Sequence, residues 1–134
     1  MNQKIRVVHY LNQFFAQVGG EDKGDVGPTA KAGAIGAGRA LQQALGEDAE
    51  VIATIYCGDN FFAEHQDQVI AELLQRTAEF KADLLVAGPA FESGRYGVAC
   101  GAICNAAQEQ LHIAAVAGMD EDNVGAGLYR KNIY

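Results

Sequence analysis

The sequence has few residues that would break up a packed domain or attract an anionic partner. It contains only 2 prolines among 134 residues, and its 49% hydrophobic content is that of an ordinary globular protein. Lys and Arg together number 10 against 17 Asp and Glu, a formal net charge of −7, and they are scattered singly. Because nucleic acids and anionic membranes are bound by concentrated basic charge, we expect neither as a partner. A chain of this length buries roughly two thirds of its unfolded surface, so one domain with a real core is predicted.

Long apolar runs are also missing. No stretch approaches the ~18 residues that a membrane span requires. The opening residues, MNQKIRVVHY, place charge directly in a short apolar run and lack the apolar core of a signal peptide. We therefore expect a cytoplasmic protein that does not enter a membrane.

The three cysteines, Cys57, Cys100 and Cys104, are an odd number in a chain without an export signal, which favours reduced thiols over a disulfide framework. Cys100 and Cys104 would share a helix face, but their neighbourhood supplies no further ligands, so no metal site is predicted. Cys57 looks the most exposed and is a candidate redox thiol. The nearby Asp59 disfavours its thiolate, which favours the alternative of a structural cysteine.

The distribution of apolar residues predicts an alternation of strands and helices. β-Branched and apolar runs predict strands at 4–10, 50–56, 83–87 and 112–117. Spacing typical of helices is found at 35–45, at 63–80, and from an N-cap at Ser93 to about residue 111. The turn-forming stretch 19–28 predicts a functional loop.

This order predicts an α/β fold. Strands that are continuously apolar are typical of a parallel sheet covered on both faces, and helical crossovers connect such strands. We therefore predict a doubly wound, mainly parallel sheet of about four strands with helices on both faces, flavodoxin-like or Rossmann-like.

In such sheets, ligands bind beyond the carboxyl ends of the strands. The polar residues that follow the first three predicted strands are therefore the candidate substrate-binding residues: Asn12, Asp59, Asn60, Ser93, Arg95 and Tyr96. The helix start at Ser93 and the guanidinium of Arg95 are suited to hold a carboxylate or phosphate. The alternative is that Ser93 is a plain cap and Arg95 a solvated charge. Glu92 is either a general base or a solvated carboxylate, and no residue is assigned as catalytic.

Several segments resemble one enzyme family. They are VVHYLNQFF at 7–15, GGE at 19–21, ALQQALG at 40–46, IYCGDN at 55–60, AGPAF at 87–91 and GRYGVACG at 94–101. Together these segments resemble the selenoprotein B subunit of glycine, sarcosine and betaine reductases. The resemblance covers only the N-terminal part of that longer subunit. Residues 1–134 are therefore expected to form a single α/β domain that is the N-terminal domain, or a fragment, of a larger reductase subunit.

The resemblance implies a component of an oxidoreductase complex of anaerobic amino-acid metabolism that reductively deaminates an amino acid or its N-methyl derivative. A pyruvoyl group on a partner subunit activates the amine, a selenolate attacks the α-carbon, and the product passes to selenoprotein A. The family's selenocysteine lies later in the chain, and this sequence has none. We therefore expect no cofactor in this chain and no full reductase activity from it alone.

Two functional hypotheses follow. In the first, the chain supplies scaffold and a substrate pocket, in which Ser93 and Arg95 face the carboxylate of a small amino-acid-like substrate, flanked by Asn12 and Asp59. In the second, it is a non-catalytic module that docks other reductase subunits or a second copy. Exposed aromatic residues would form its docking surface: Phe14, Phe15, Phe61, Phe62 and Tyr134.

Overall fold

The structure is a computed structural model that describes residues 4–91 and 93–129, except for the side chain of Glu21. The strands are β1 (Ile5–Asn12), β2 (Thr29–Ala32), β3 (Ala49–Cys57), β4 (Leu84–Ala90) and β5 (Ala114–Met119). The helices are α1 (Gly38–Leu45), α2 (Asp59–Glu64), α3 (Gln66–Glu79), α4 (Gly94–Ala106) and α5 (Val124–Leu128). A 3-10 turn covers Glu21–Lys23, and a π-helical turn, Ala107–Leu111, extends α4.

The five strands form one sheet in the order β2-β3-β1-β4-β5. The strands β3, β1, β4 and β5 pair in parallel, while β2 pairs antiparallel with β3 at one edge. The predicted α/β class and the four parallel strands are thus confirmed. The edge strand was not predicted, because TAKA at 29–32 is short, half-exposed and lacks an apolar run.

Alternating side chains of the central strands pack against helices on opposite faces of the sheet. Val8 and Tyr10 of β1 belong to the main core, together with Leu73 of α3 and Ile103 of α4. Val7 points to the other face, into a smaller cluster. That cluster contains Val51 of β3 and Leu41 and Leu45 of α1.

The predicted helix at 63–80 is in fact two helices. The helix α2 begins shortly after β3, at Asp59, four residues before the predicted start, and it ends at His65 before α3 starts. His65 has non-helical backbone angles, φ −131° and ψ 39°, which interrupt the helical path. The segment before His65 was misread because its first residues, Asp59 and Asn60, are ones that also favour turns.

The helix α5 was not predicted, because its sequence, VGAGL, has two glycines and a weak helical pattern. Its contact with α4 explains why it forms. A Cβ on Gly97 would overlap the side chain of Asn123, and one on Gly125 would overlap the backbone of Gly97. The glycines therefore allow the two helices to approach closely, and tertiary packing outweighs poor propensity.

Among residues 4–91 and 93–129, no helix has both the length and the apolar character needed to cross a bilayer.

Candidate functional site

A cavity of about 620 Å³ lies where the carboxyl ends of β1, β3 and β4 meet. All six predicted substrate-binding residues line it: Asn12, Asp59, Asn60, Ser93, Arg95 and Tyr96. They come together because parallel strands end at the same edge of the sheet, although they are up to 84 positions apart in the sequence. The predicted loop at 19–28 contributes Gly20 and Gly24 to the wall.

Buried polar side chains form the floor of this cavity, which we define as Asn12, Gln13, Asp59 and Tyr96. The amide of Asn12 donates from Nδ2 to Asp59 Oδ2 at 3.0 Å, and its Oδ1 accepts from the backbone N–H of Phe15 at 2.9 Å. The backbone N–H of Asp59 donates to Gln13 Oε1 at 3.1 Å. These bonds join the end of β1 to the start of α2.

The carboxyl group of Asp59 is only partly satisfied by this network. Its Oδ2 accepts from Asn12, but its buried Oδ1 has no hydrogen-bond partner in the part of the chain that the structure describes. Burial raises the pKa of Asp59 above its usual value, and the hydrogen bond from Asn12 and the positive charge of Arg95 oppose that rise. One oxygen of this cavity-lining carboxyl group is therefore buried without a donor from the described residues.

Tyr96 contributes its aromatic ring to the floor, and its hydroxyl group does not ionise. It is fully buried, and its ring lies 5.7 Å from that of Phe15 at an interplanar angle of 26°. The ring of Tyr10 is 6.3 Å from that of Tyr96, at an interplanar angle of 45°. Burial raises the pKa of Tyr96 well above its usual value, so the hydroxyl stays protonated at neutral pH.

Exposed side chains form the rim of the cavity, which we define as Phe14, Phe91, Ser93 and Arg95. Ser93 caps α4 as predicted, because its Oγ accepts from the backbone N–H of Tyr96 at 3.4 Å. The N–H groups of Gly94 and Arg95 lie in the first turn, where α-helices leave such donors without an intrahelical partner. The Arg95 guanidinium donates to Asn60 Oδ1. A helix start and a cation therefore face the cavity together.

Asn123 holds this rim in place, and it was not among the candidate residues. It is buried, and its Nδ2 donates to the carbonyl oxygens of Phe91 at 3.1 Å and Ser93 at 2.9 Å. Its Oδ1 caps α5 by accepting from the N–H of Gly125 at 2.8 Å. No sequence signal indicated this role, because α5 itself was not predicted.

The expectation that Cys57 is the most exposed thiol is wrong. Cys57 is fully buried, because the segment before β2 covers the end of β3, and its Sγ lies 3.6 Å from the carbonyl oxygen of Val26. Burial, reinforced by the charge of Asp59, raises the pKa of this thiol to about 12. A thiol that stays protonated and lacks access to solvent is a poor nucleophile.

Cys100 and Cys104 are likewise buried in the core, and burial raises the pKa of each. In the part of the chain that the structure describes, no group of three or more His, Cys, Asp or Glu side chains is placed to hold a metal ion.

The proposed docking aromatics do not form one exposed surface. Phe14 is 61% exposed, but Phe62 is only 3% exposed and packs in the main core, so its assignment as a docking residue is wrong. Phe61 is half-buried, with its ring 4.5 Å from that of His65. Tyr134 and Glu92 lie outside the described residues.

Comparison with known proteins gives one consistent family. Residues 4–134 match the family described as glycine/sarcosine/betaine reductase selenoprotein B. The chain is 50% identical over 131 residues to the glycine reductase complex component B subunit gamma of Carboxydothermus hydrogenoformans, and covers 30% of that protein. It is also 50% identical over 131 residues to the sarcosine reductase complex component B subunit beta of Peptoclostridium acidaminophilum, again covering 30% of it.

The betaine reductase complex component B subunit beta of Peptoclostridium acidaminophilum is 43% identical over 129 residues. These three matches span 98%, 98% and 96% of the present chain. The chain thus spans about 30% of the length of the curated relatives it matches. No solved structure matches it.

Proposed function

Since the chain belongs to the glycine/sarcosine/betaine reductase selenoprotein B family, we propose that it supplies scaffold and a substrate pocket to a reductase complex. The reaction of that complex would be the reductive deamination of an amino acid or its N-methyl derivative. The relatives are named as components of glycine, sarcosine and betaine reductase complexes, which supports a small zwitterionic substrate of this class.

One observation carries the proposal. The cavity at the strand ends is lined by the cationic Arg95 and the start of α4 and also by the buried carboxyl of Asp59. A zwitterion carries a carboxylate and an ammonium group close together, so this arrangement complements both ends. Arg95 and the first N–H groups of α4 would hold the carboxylate, with Asn12 and Asp59 flanking the substrate.

The position of the cavity in the sheet also supports the proposal. The strand β1 lies between β3 and β4, so the chain leaves β1 towards one side and later returns to its other side. In open α/β sheets, ligands bind in the crevice where the strand order reverses in this way. The order of the four parallel strands agrees with a doubly wound, flavodoxin-like arrangement, which we propose as the fold type.

The bond-breaking groups of the reaction are proposed to come from elsewhere. The resemblance implies a selenocysteine outside this sequence and a pyruvoyl group on a partner subunit. The three cysteines of this chain are buried, and burial raises their pKa values, so they do not fit the selenolate's role. We propose that the chain forms the N-terminal domain of a longer subunit, which works in the cytoplasm with the pyruvoyl-bearing subunit and selenoprotein A.

Calorimetric titration of the purified chain with glycine, sarcosine and betaine tests the pocket. Arg95→Ala should weaken binding of each substrate by about tenfold or more, because the charged partner of the carboxylate is lost. Arg39→Ala, which removes an exposed arginine on α1 outside the cavity, should leave binding unchanged. Substrate binding that is equally strong after Arg95→Ala would contradict the proposal.

A second candidate function is docking of another subunit of the same complex. It is favoured by exposed apolar side chains near the strand ends, Phe14 and Phe91 on the rim and Val124 and Leu128 on α5. Val124 and Leu128 are one helical turn apart and so share a face. A chain that stays monomeric in light scattering at every concentration and does not capture the related reductase subunits would count against docking.

A further inference from the structure

Three phenylalanine rings and the ring of Tyr96 meet inside the cavity. The ring of Phe15 lies at the centre of this group, 5.2 Å from that of Phe14 and nearly perpendicular to it, at 88°. The ring of Phe91 is 6.1 Å from Phe15 and tilted by 49°. Rings from the end of β1 and from the loop after β4 therefore form walls that meet at an angle within one pocket.

Two of these rings expose much of their apolar surface to water, which is energetically unfavourable. Phe14 is 61% exposed and Phe91 is 56% exposed, and both line the cavity rather than the outer surface of a helix. Exposed aromatic surface that is grouped in a concave site marks a place where something binds. The face of an aromatic ring carries partial negative charge and attracts organic cations, quaternary ammonium groups in particular.

The same cavity is lined by a carboxyl group that is only partly paired. Asp59 is 8% exposed, its Oδ2 accepts from Asn12, and its buried Oδ1 has no hydrogen-bond partner among residues 4–91 and 93–129. Buried polar atoms are nearly always paired, so an incompletely paired carboxyl group on a residue that lines a cavity points to a donor or cation supplied by the ligand. Arg95 does not meet this need, since its guanidinium donates to Asn60 instead.

We propose that Phe14, Phe15, Phe91 and the carboxyl group of Asp59 form a subsite for the substrate's positively charged nitrogen, and that they set its preference for the degree of N-methylation. This inference rests on the proposed function above, in which Arg95 and the start of α4 hold the carboxylate. The rings and the carboxyl group have different roles. A primary ammonium donates N–H bonds to the carboxyl group of Asp59, whereas a trimethylated nitrogen has no N–H and depends on the rings.

Titration of ring variants tests this division. Phe14→Leu and Phe91→Leu keep apolar bulk on the rim but remove the ring face, and because both side chains are exposed the variants should fold. We expect each to weaken betaine binding about fivefold and glycine binding less than twofold. Phe61→Leu makes the same change at a ring that packs on His65 outside the cavity, and should alter neither affinity.

The carboxyl variant should show the opposite preference. Asp59→Asn should weaken glycine binding about tenfold, because a charge-assisted hydrogen bond is lost, and betaine binding less. Asp48→Asn, at an exposed position just before β3, is the matched control. Tetramethylammonium chloride, titrated against sodium chloride at equal ionic strength, probes the cation subsite without any carboxylate, and its binding should weaken with the ring variants only.

The outcomes separate this inference from the proposed function. Betaine binding that depends on Arg95 but not on Phe14 or Phe91 would overturn the cation subsite and leave the carboxylate pocket standing. Tetramethylammonium binding that depends on the rings, with amino-acid binding indifferent to Arg95→Ala, would overturn the carboxylate pocket and support the subsite. A wild-type chain that binds none of the three ligands and no tetramethylammonium would overturn both.

Discussion

The side chains on the floor of the cavity make more hydrogen bonds within the protein than the side chains on its rim. On the floor, Asn12 and Gln13 are 4% exposed and hydrogen-bond to Asp59 and to the backbone of the loops around them. On the rim, Phe14, Phe91 and Arg95 are exposed, and among the described residues Arg95 hydrogen-bonds to one side chain, that of Asn60. The floor therefore holds the strand ends together, and the rim is free to contact a ligand. Asp59 Oδ1 is the exception, since it is a floor atom with no hydrogen-bond donor among the described residues.

The largest effect on stability is expected at the crowded backbone just before the floor residue Asp59. A Cβ on Gly58, which precedes α2, would overlap the carbonyl group of Gly24. Because displacing the backbone of Gly24 is energetically unfavourable, Gly58→Ala should lower the free energy of unfolding by about 3 kcal/mol. Urea denaturation measures this change. Gly118→Ala, at a site with no atom within 4 Å of the added Cβ, is the matched control, and an equal loss there would show that crowding at Gly58 is not the cause.

Replacing an asparagine on the floor should lower the free energy of unfolding more than replacing one beside the rim. Asn12→Ala removes the donor to Asp59 Oδ2 and the acceptor of the Phe15 N–H, which leaves a buried carboxyl without a protein donor. We expect a loss of about 2 kcal/mol in the free energy of unfolding. Asn60→Ala, whose side chain is half-buried and bonded to the exposed Arg95, should cost less than half as much. Equal losses would remove the distinction between floor and rim.

The charge of Asp59 should make stability depend on pH in a known direction. Burial raises its pKa in the folded state, so the protonated form folds more favourably than the ionised form. Its stabilising contribution is complete below its ordinary pKa of 3.8 and is lost as the pH rises through the folded-state value. Asp59→Asn should therefore have a higher free energy of unfolding than the wild type at pH 7. The gain should be smaller than the loss expected for Asn12→Ala, because the hydrogen bond from Asn12 already stabilises the ionised carboxyl.

Urea denaturation of both proteins at pH 7 and near pH 4 measures the difference, which should shrink at the lower pH. Asp48→Asn, at an exposed carboxylate, should show no such trend. A difference that grows on acidification would contradict the assignment of Asp59 as a carboxyl destabilised by burial.

The smallest effect on stability is expected on the rim. Phe91→Ala removes a ring that is 56% exposed, so the free energy of unfolding should change by about 0.5 kcal/mol or less. Thermal denaturation followed by circular dichroism is sufficient to measure it. Phe62→Ala provides the contrast, since this ring is 3% exposed in the main core and its removal should cost about 3 kcal/mol or more. A large loss at Phe91 would mean that the rim, too, is structural.

Some of these features were predictable because they depend on short stretches of sequence. The apolar runs around Val7 and Val51 indicated buried strands, and Ser93 was recognisable as an N-cap from its position before a helical pattern. The six candidate residues were found because each lies at, or shortly after, the carboxyl end of a strand in a parallel sheet. That they share one cavity follows from the sheet, but their role in binding stays a prediction.

Other features depend on contacts between distant segments, which no local pattern reports. The burial of Cys57 depends on a segment thirty residues earlier in the chain, around Val26. The helix α5 forms from a glycine-rich sequence because Gly97 and Gly125 let two helices touch. The break at His65 likewise has no strong sequence signal, since the apolar pattern of 63–80 continues through it.

The sequence by itself determined the α/β class, the parallel strands and the family, because periodicity and motifs are properties of consecutive residues. Only the tertiary structure decided that Cys57 is buried, that one oxygen of Asp59 has no partner among the described residues, and that the rings of Phe14, Phe15 and Phe91 meet. The physical reason is that burial and hydrogen-bond pairing arise where separate strand ends and loops pack together. That packing depends on the whole chain rather than on any one segment.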